Sequence, residues 1–365
     1  MLTYLLCIAI VLAVAFFSAD KRAKKEYQLF FSVILVFTLT LFAGTRLVGY
    51  DFDVYLHHFK AVPDLFHYRR TDVSLEIGYE LLVSLYKVFS DSFNGFLVCY
   101  AGITLIFALI ACVKYSPIPL LSFGMFFSYA FFFQVMGQMR QPFAILFLYL
   151  TLIPLILKKK YVAGCVLILL CAFFLHKSSI LCLAVLFFAD RKLSRKQILY
   201  CGLLTCVMYV LSPQLIKLFM LLIPKSIPLY AVFEAYTTYK SIQVSFSLGM
   251  LERIGMFIVL YYFATRQNLY QTDPKLRLFI NTYFMGVCIY FSFISVAAEF
   301  ATRGTFFYVY SLFFAIPVLI SKSTIKAKYI LYAITVLWCI YLASGIITKE
   351  ENKVFLPYNS TLFYL

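Results

Sequence analysis

The sequence predicts an all-α protein, a polytopic bundle of about twelve transmembrane helices. Hydrophobic residues make up 63% of the 365 residues and charged residues only 13%, and the mean hydropathy is +0.90. Apolar runs recur along the whole chain, and no polar stretch is long enough to form a soluble domain. We therefore expect one integral membrane domain that comprises residues 1–365.

The distribution of basic residues predicts the orientation of these helices. Lysines and arginines punctuate alternate loops, at Lys21, Arg22, Lys24 and Lys25, at Lys114, at 158–160, at 191–196, at Arg266, Lys275 and Arg277, and at Lys322, Lys326 and Lys328. Because cytoplasmic loops of membrane proteins are enriched in Lys and Arg, these loops are expected in the cytoplasm. The net charge of +16 then reflects topology, and no nucleic-acid partner is expected.

The apolar runs between these loops define the spans. They cover about 2–19, 29–45, 93–113, 118–136, 143–157, 161–175, 178–189, 198–212, 250–265, 276–297, 303–321 and 329–346. Both termini then lie outside. Spans such as 161–175 and 178–189 are shorter than the roughly 20 residues that a straight crossing needs, so short, broken or partly buried helices are expected.

Two outer segments, 46–92 and 212–249, are long enough to contain helices that lie on the membrane surface. In the first, apolar residues of 74–89 recur at helical spacing: Leu75, Ile77, Leu81, Leu82, Leu85 and Phe89. In the second, the stripe is Leu215, Leu218, Phe219 and Leu222, bounded by Pro213, Pro224 and Pro228. Both patterns favour amphipathic interfacial helices.

Six arginines fall on the outer side, opposite the lysine-rich loops: Arg46, Arg69, Arg70, Arg140, Arg253 and Arg303. Membrane proteins normally keep little positive charge there. Most of the acids share this side, since only Asp20, Glu26, Asp190 and Asp273 fall inside. The outer face is therefore expected to bind an anionic group.

The segment 44–59 joins a predicted span to the first outer segment. It places Arg46, Asp51, Asp53 and Tyr55 at the membrane surface. Asp51 or Asp53 would orient a sugar hydroxyl or hold Arg46. The alternative is an ordinary polar helix exit with a local salt bridge.

The segment 137–143 places Arg140 and Gln141 between two apolar runs with almost no loop. Ionisable groups within or beside hydrocarbon are expensive and usually functional. The planar guanidinium fork suits two phosphate oxygens at once, and Pro142 favours a helix start whose amides point to the same place. The alternative is an arginine that snorkels to water without a partner.

His176 stands between two short apolar runs, followed by Lys177, Ser178 and Ser179. The chain must reverse near His176, because 158–160 and 191–196 both lie inside. An imidazole there can take a proton from an acceptor hydroxyl or, when charged, hold a phosphate. The alternative is a helix-capping or merely hydrogen-bonded histidine.

Two further acid and arginine pairs lie at outer ends of spans. Glu252 and Arg253 open one span, and Arg253 is expected to face inward at a substrate. Glu299 and Arg303 have i,i+4 spacing, so Arg303 either binds substrate or pairs with Glu299 alone. Such a pair stabilises a helix by about 0.3–0.5 kcal/mol.

The sequence contains no phosphate-binding loop, dinucleotide fingerprint, nucleophile elbow or zinc-protease motif. The ten cysteines all lie in apolar runs, and no Cys/His group has zinc spacing. Neither a metal nor a cofactor is predicted. Any chemistry must therefore use a substrate that is already activated.

Three short segments resemble the polysaccharide polymerases of the EpsG and Wzy kind. An Arg followed by G-x-D after the second span is matched by Arg46, Gly49 and Asp51, with Tyr55 after them. M-R-Q is matched by 139–141 and H-K-S by 176–178. The G-x-D of this chain has Tyr50 in the middle instead of a basic residue, so one positive charge of the family pattern is missing there.

The resemblance implies a GT-C-like membrane glycosyltransferase of O-antigen and other polysaccharide biosynthesis. A glycan would pass from undecaprenyl diphosphate to the non-reducing end of another lipid-linked repeat, at the periplasmic face of a bacterial inner membrane. Arg140, with Arg253 or Arg303, would neutralise the leaving diphosphate, and His176 or Asp51 would accept the hydroxyl proton. Arg46, Asp53, Tyr55, Gln141, Lys177 and Glu252 are the further expected substrate contacts. The implied partners are the lipid-linked oligosaccharides and the bilayer, with a chain-length regulator protein as a candidate.

Other activities fit parts of the same pattern. An O-antigen ligase would need the same arginines and the same leaving group. A flippase for lipid-linked sugars would need charged residues along a path through both leaflets, and the predicted spans carry almost none at their midplanes. A membrane acyltransferase would be expected to place its histidine near the acyl-carrier side.

Overall fold

The computed structural model describes residues 1–17, 25–70, 75–222, 224–225, 230, 234, 247–348 and 350–363. Within these residues the chain is all-α and has no β-strand, and the predicted fold class is confirmed. One isolated antiparallel bridge joins Arg46 to Ser360.

The helices follow one another along the described chain. They are α1 Leu2–Phe17, α2 Lys25–Gly44, α3 Phe52–Ala61, α4 Ile77–Lys87, α5 Phe93–Tyr115, α6 Pro119–Phe126, α7 Arg140–Leu157, α8 Tyr161–Phe174, α9 Leu183–Phe188, α10 Arg195–Leu222, α11 Leu248–Arg266, α12 Leu269–Thr272, α13 Pro274–Phe293, α14 Ala298–Gly304, α15 Phe306–Tyr310, α16 Leu312–Lys322 and α17 Ile325–Thr348. Helices with i→i+3 hydrogen bonds cover Leu65–His67, Lys177–Cys182, Glu350–Phe355 and Thr361–Phe363.

The lengths of these helices match the predicted apolar segments. Eight stretches of the described chain are long and apolar enough to cross a membrane: Glu26–Gly44, Phe93–Tyr115, Arg140–Leu157, Arg195–Leu222, Leu248–Arg266, Pro274–Phe293, Ala298–Lys322 and Ile325–Thr348. Four shorter apolar stretches are Leu2–Phe16, Pro119–Val135, Tyr161–Phe174 and Lys177–Phe188. All correspond to predicted spans, including the two that were expected to be short. The number of crossings and the side of the termini stay predictions.

The described chain forms two compact units. The first contains 1–180 and 316–365, and the second contains 181–315. In the first unit, an aromatic core that includes Tyr55, Phe59, Tyr79, Phe96 and Tyr100 packs α3 and α4 against α5. Each such ring contributes roughly 1.5–3 kcal/mol when it is fully buried. This core holds the first outer segment in place beside the candidate site.

Helix α4 forms within the amphipathic run predicted at 74–89, of which Ser74 lies outside the described residues. Its buried residues are Tyr79, Glu80, Val83 and Ser84, whereas Leu85 and Phe89 are exposed. The predicted apolar stripe is thus the more exposed face of the helix, as a membrane-surface helix requires. In the second outer segment, the apolar stripe continues α10 through Pro213 to Leu222, and most of 223–246 lies outside the described residues. Contact of either segment with the membrane surface stays a prediction.

Helix α6 continues into a π-helix, Phe127–Val135. Backbone hydrogen bonds with i→i+5 spacing extend to its end, from Met136 N to Phe131 O and from Gln138 N to Phe133 O. π-helical turns are rare and frequently occur at functional sites. This one leads directly into the turn that places Arg140 at the start of α7.

Candidate substrate-binding site

Arg140 is the first residue of α7, and its guanidinium lies in a mostly buried polar site in the first unit. Its Nη1 forms an ion pair with Oε2 of Glu76, and the two side chains are 19% and 5% exposed. The guanidinium carbon lies 5.9 Å from the ring centroids of both Tyr55 and Tyr79. The Nε of Arg140 is buried and has no hydrogen-bond partner among the residues that the structure describes. Arg140 therefore has an internal partner and does not simply snorkel to solvent.

Glu76 joins two segments that are far apart in the sequence. It directly precedes α4, and its Oε1 accepts a hydrogen bond from the backbone N–H of Lys177 at 3.3 Å. The close approach depends on Gly78, because a Cβ there would lie 2.3 Å from the carbonyl oxygen of Phe174 near the end of α8. One carboxylate thus connects the M-R-Q segment to the H-K-S segment.

Side chains of these two segments also contact each other. Nε2 of Gln141 donates to Oγ of Ser178 at 3.1 Å. Nδ1 of His176 lies 2.7 Å from the same Oγ and accepts the backbone N–H of Ser178 at 3.2 Å. Because a backbone amide can only donate, Nδ1 of the neutral imidazole is the acceptor and Nε2 carries the proton. A neutral His176 in this tautomer offers an N–H donor at Nε2, and whether His176 holds a phosphate or accepts a proton stays a prediction.

Arg46 is buried, with only 1% of its surface exposed. Its Nη1 donates to the carbonyl of Ala43, and within the described part of the chain its Nε and Nη2 have no hydrogen-bond partner. Burial lowers the pKa of Arg46 to about 10, so the group is still charged at neutral pH. Asp51 occupies the N-cap position of α3, and Asp53 is exposed. Their expected roles, to orient a sugar hydroxyl or to hold Arg46, stay predictions.

Tyr55 links the first segment to Arg140. It is 2% exposed on α3, and burial raises the pKa of its hydroxyl, although a hydrogen bond with Arg140 opposes this effect. The hydroxyl of the neighbouring Tyr79 is buried and finds no hydrogen-bond partner in the described residues. Of the residues predicted in 44–59, the structure brings Tyr55 into contact with Arg140.

The C-terminal residues cover Arg46. Leu47 N donates to the carbonyl of Asn359 at 2.9 Å, and Thr361 N donates to that of Thr45 at 2.8 Å. Gly49 has a φ of +144°, and a Cβ there would lie 2.8 Å from the carbonyl oxygen of Met136. Only glycine adopts this conformation without strain. Gly49 therefore permits close contact between the turn after α2 and the end of the π-helix.

A second buried pair joins α3 to α4 in the same unit. Nε2 of His58 is 3.6 Å from Oε1 of Glu80, and neither side chain is exposed. Tyr68 donates to Oε2 of Glu80 at 3.1 Å. Burial lowers the pKa of His58, against the opposing effect of Glu80. Neither residue stood out in the sequence, because their partnership joins two different helices.

Comparison with known proteins shows the family of the chain. The model of the EpsG family matches residues 29–360. The chain belongs to the EpsG family. The match contains all three segments that carried the resemblance. No curated protein and no solved structure matches the chain. Membership of the EpsG family supports a polysaccharide-polymerase-like role for this multi-pass membrane protein.

The remaining arginines predicted for substrate binding in this EpsG-family protein lie in the second unit. Arg253 lies 4.0 Å above the ring centroid of Tyr290, and its Nη1 is 3.5 Å from Oε2 of Glu252. Arg303 pairs with Glu299 at 2.5 Å, with the side chains 44% and 50% exposed. Such an exposed i,i+4 pair contributes only about 0.3–0.5 kcal/mol. Roles of Arg253, Glu252 and Arg303 in substrate binding stay predictions.

Sequence reasoning missed Glu76, which makes the central contact of the site. It was one of several outer acids, and its two partners are 64 and 101 residues away in the chain. The only local signal was its position directly before an amphipathic helix. Among the described residues, no group of three or more His, Cys, Asp or Glu side chains could hold a metal ion.

Proposed function

We propose that this protein is a polysaccharide polymerase of the O-antigen type. It transfers a glycan from a polyprenyl diphosphate to the non-reducing end of another lipid-linked repeat, at the outer face of a bacterial inner membrane. Membership of the EpsG family supports the general reaction. The observation that carries the proposal is the pair of anion-binding donors, the Arg140 guanidinium and the Lys177 backbone N–H, at one buried carboxylate, with His176 next in sequence to Lys177.

The donors of this site match the needs of a diphosphate. The guanidinium of Arg140 offers several N–H groups in one plane, and its buried Nε has no protein partner. The backbone N–H of Lys177 already binds a carboxylate oxygen, and Nε2–H of His176 supplies a further donor. Preorganised donors in a site of low exposure stabilise developing negative charge strongly, because they need no reorganisation during the reaction.

The reaction requires one substitution at the anomeric carbon. The acceptor hydroxyl oxygen attacks this carbon, and the bond from the carbon to the phosphate oxygen breaks. Polyprenyl diphosphate leaves with the bonding electrons, and the hydroxyl proton passes to a base. Arg140 stabilises the diphosphate as its charge develops, while Gln141 and Ser178 hold the His176 segment beside Arg140.

The test is substitution of Arg140 by Ala and by Lys in the bacterium that makes the glycan, with protein level held constant. Arg140→Ala should reduce polymerisation by about 10²–10³-fold, the typical loss when one oxyanion donor is removed. The visible result is single-repeat glycan in place of a ladder. Arg140→Lys should also shorten the ladder, because an ammonium group cannot form the two-pronged contact.

The matched controls are Arg266→Ala and Arg266→Lys, because Arg266 is an exposed arginine at the end of α11. Their ladders should be of full length. Full-length ladders from both Arg140 variants would show that Arg140 is not part of the site. Deletion of the gene separates polymerase from ligase, since loss of a polymerase leaves one repeat on the lipid core and loss of a ligase leaves none.

A further inference from the structure

Glu76 occupies the position in which the proposed site would bind phosphate. Its two carboxylate oxygens accept from Arg140 Nη1 and from the Lys177 backbone N–H. A guanidinium and a backbone amide at the start of a helical turn are typical phosphate donors. The carboxylate therefore satisfies, within the protein, the donors that the diphosphate would need.

A diphosphate and the Glu76 carboxylate cannot both use these donors. The Glu76 side chain is 5% exposed, so two negative groups placed there would repel each other with little screening by water. Either the substrate stays out or the carboxylate moves away. The guanidinium of Arg140 can pair with the Glu76 carboxylate or with the diphosphate, but not with both at once.

The local structure allows Glu76 to move. Its backbone is extended, with φ −68° and ψ 138°, and its side chain makes no capping hydrogen bond with α4. Among the residues that the structure describes, its carboxylate accepts hydrogen bonds from Arg140 and Lys177. A change of side-chain rotamer would release both contacts without unwinding α4.

We propose that Glu76 is the internal ligand of the anion site, that the lipid diphosphate displaces it from Arg140, and that the released carboxylate accepts the proton of the attacking hydroxyl. This inference rests on the proposed function. The hydroxyl oxygen forms the new glycosidic bond, polyprenyl diphosphate leaves with its electron pair, and the hydroxyl proton passes to Glu76 and then to water. No further reactant is needed.

The displacement couples substrate binding to catalysis. A carboxylate that loses a guanidinium partner becomes a stronger base, so Glu76 gains basicity only when a diphosphate occupies Arg140. His176 is less suited to this role, because its Nδ1 already accepts the Ser178 backbone N–H. The arrangement thus assigns proton transfer to Glu76 and phosphate binding to the donors that Glu76 vacates.

The experiment measures binding and turnover separately, on the full-length protein in lipid nanodiscs. The binding probe is farnesyl diphosphate, and turnover is measured with the lipid-linked repeat. Glu76→Gln should bind farnesyl diphosphate about tenfold more tightly than the wild type, because the competing charge is gone. The same variant should lose turnover by about 10²-fold or more, because the proton acceptor is gone.

A second variant covers the case in which Glu76→Gln does not fold. Glu76→Asp keeps the charge on a side chain that is one methylene shorter, so it should hold Arg140 less well, bind farnesyl diphosphate more tightly than the wild type and retain part of the turnover. The control is Asp91→Asn, an exposed acid of the same outer segment, which should change neither quantity. A purely positioning role for Glu76 predicts instead that binding and turnover fall together, and this result would overturn the inference.

Arg140→Ala distinguishes this failure from failure of the proposed function. If this variant binds farnesyl diphosphate as tightly as the wild type, Arg140 does not bind diphosphate and the proposed function fails. If Arg140→Ala abolishes binding but folded Glu76 variants bind no more tightly than the wild type, the proposed function stands and the role of Glu76 is wrong.

Discussion

Burial separates Arg303, which pairs within its own helix, from Arg140, which we place at the reaction centre. Arg303 and Glu299 are about half exposed on one helix, so solvent screens their pairing. Arg140 and Glu76 are 19% and 5% exposed and lie on different segments. Removal of one partner from a buried pair leaves an uncompensated charge, which typically costs about 3–5 kcal/mol. The stability of the fold is therefore expected to depend on both members of the Arg140–Glu76 pair.

His58 predicts a dependence of stability on pH. Burial places its pKa in the folded protein below the ordinary value, even though Glu80 acts in the opposite direction. The folded state therefore binds fewer protons than the unfolded state, and the stabilisation is fully present above the unfolded pKa of about 6.5. It is lost as the pH falls through the folded pKa. The melting temperature of the protein in nanodiscs should fall as the pH decreases from 7.5 to 5.5.

His58→Gln should flatten this decrease, because the glutamine side chain does not titrate. His57→Gln is the matched control, since His57 is the adjacent residue on α3 and is exposed. The control should melt with the same pH profile as the wild type. Equal slopes for all three proteins would show that His58 does not set the pH response.

At the residue scale, the sequence predicted the members of the site better than their partners. Arg140, Gln141, His176 and Lys177 could be found because charged and polar groups beside apolar runs are expensive and therefore conspicuous. Glu76 could not be found, because residues 76 and 177 are far apart in the chain. Their contact therefore produces no recognisable pattern in the sequence. The predicted role of Asp51, which begins α3, stays a prediction.

Most helices could be predicted, because apolar runs of sufficient length have few other solutions in a membrane. The π-helix Phe127–Val135 could not. Its composition resembles that of any apolar helix, and the i→i+5 hydrogen bonds depend on the packing around it. Helix α7 also begins earlier than the predicted span, at Arg140. Arg140 and Gln141 can form its first turn because their polar groups bind Glu76 and Ser178.

Substitution of Gly78 tests whether the contact between α4 and α8 positions Glu76. A Cβ at this position would overlap the backbone of Phe174, and backbone cannot rotate away as a side chain can. Gly78→Ala should force α4 away from the end of α8, reduce stability by about 1–3 kcal/mol and reduce turnover. Thermal unfolding and glycan ladder length measure the two effects.

The control is Gly202→Ala in α10, where a Cβ would meet no atom within 4 Å. Alanine is the better helix former, so this variant should be as stable as the wild type or more stable by about 0.5–1 kcal/mol. If Gly78→Ala behaves like Gly202→Ala, the close approach of α4 to α8 does not set the site.

At the scale of the whole molecule, charge predicts topology. The lysine-rich loops are spaced so that the segments carrying Arg140 and His176 both fall on the outer side. The four short apolar helices decide how many crossings separate these loops, since a stretch of 14 residues such as Tyr161–Phe174 spans only about 21 Å at 1.5 Å per residue. The topology therefore stays a prediction that depends on how these short helices lie in the bilayer.

The most direct test of the central claim is a structure of the full-length protein in nanodiscs with bound farnesyl diphosphate. We expect phosphate density at the Arg140 guanidinium and the Lys177 backbone N–H, with the Glu76 carboxylate turned away from both. Phosphate density elsewhere, with the Arg140–Glu76 ion pair intact, would contradict the account.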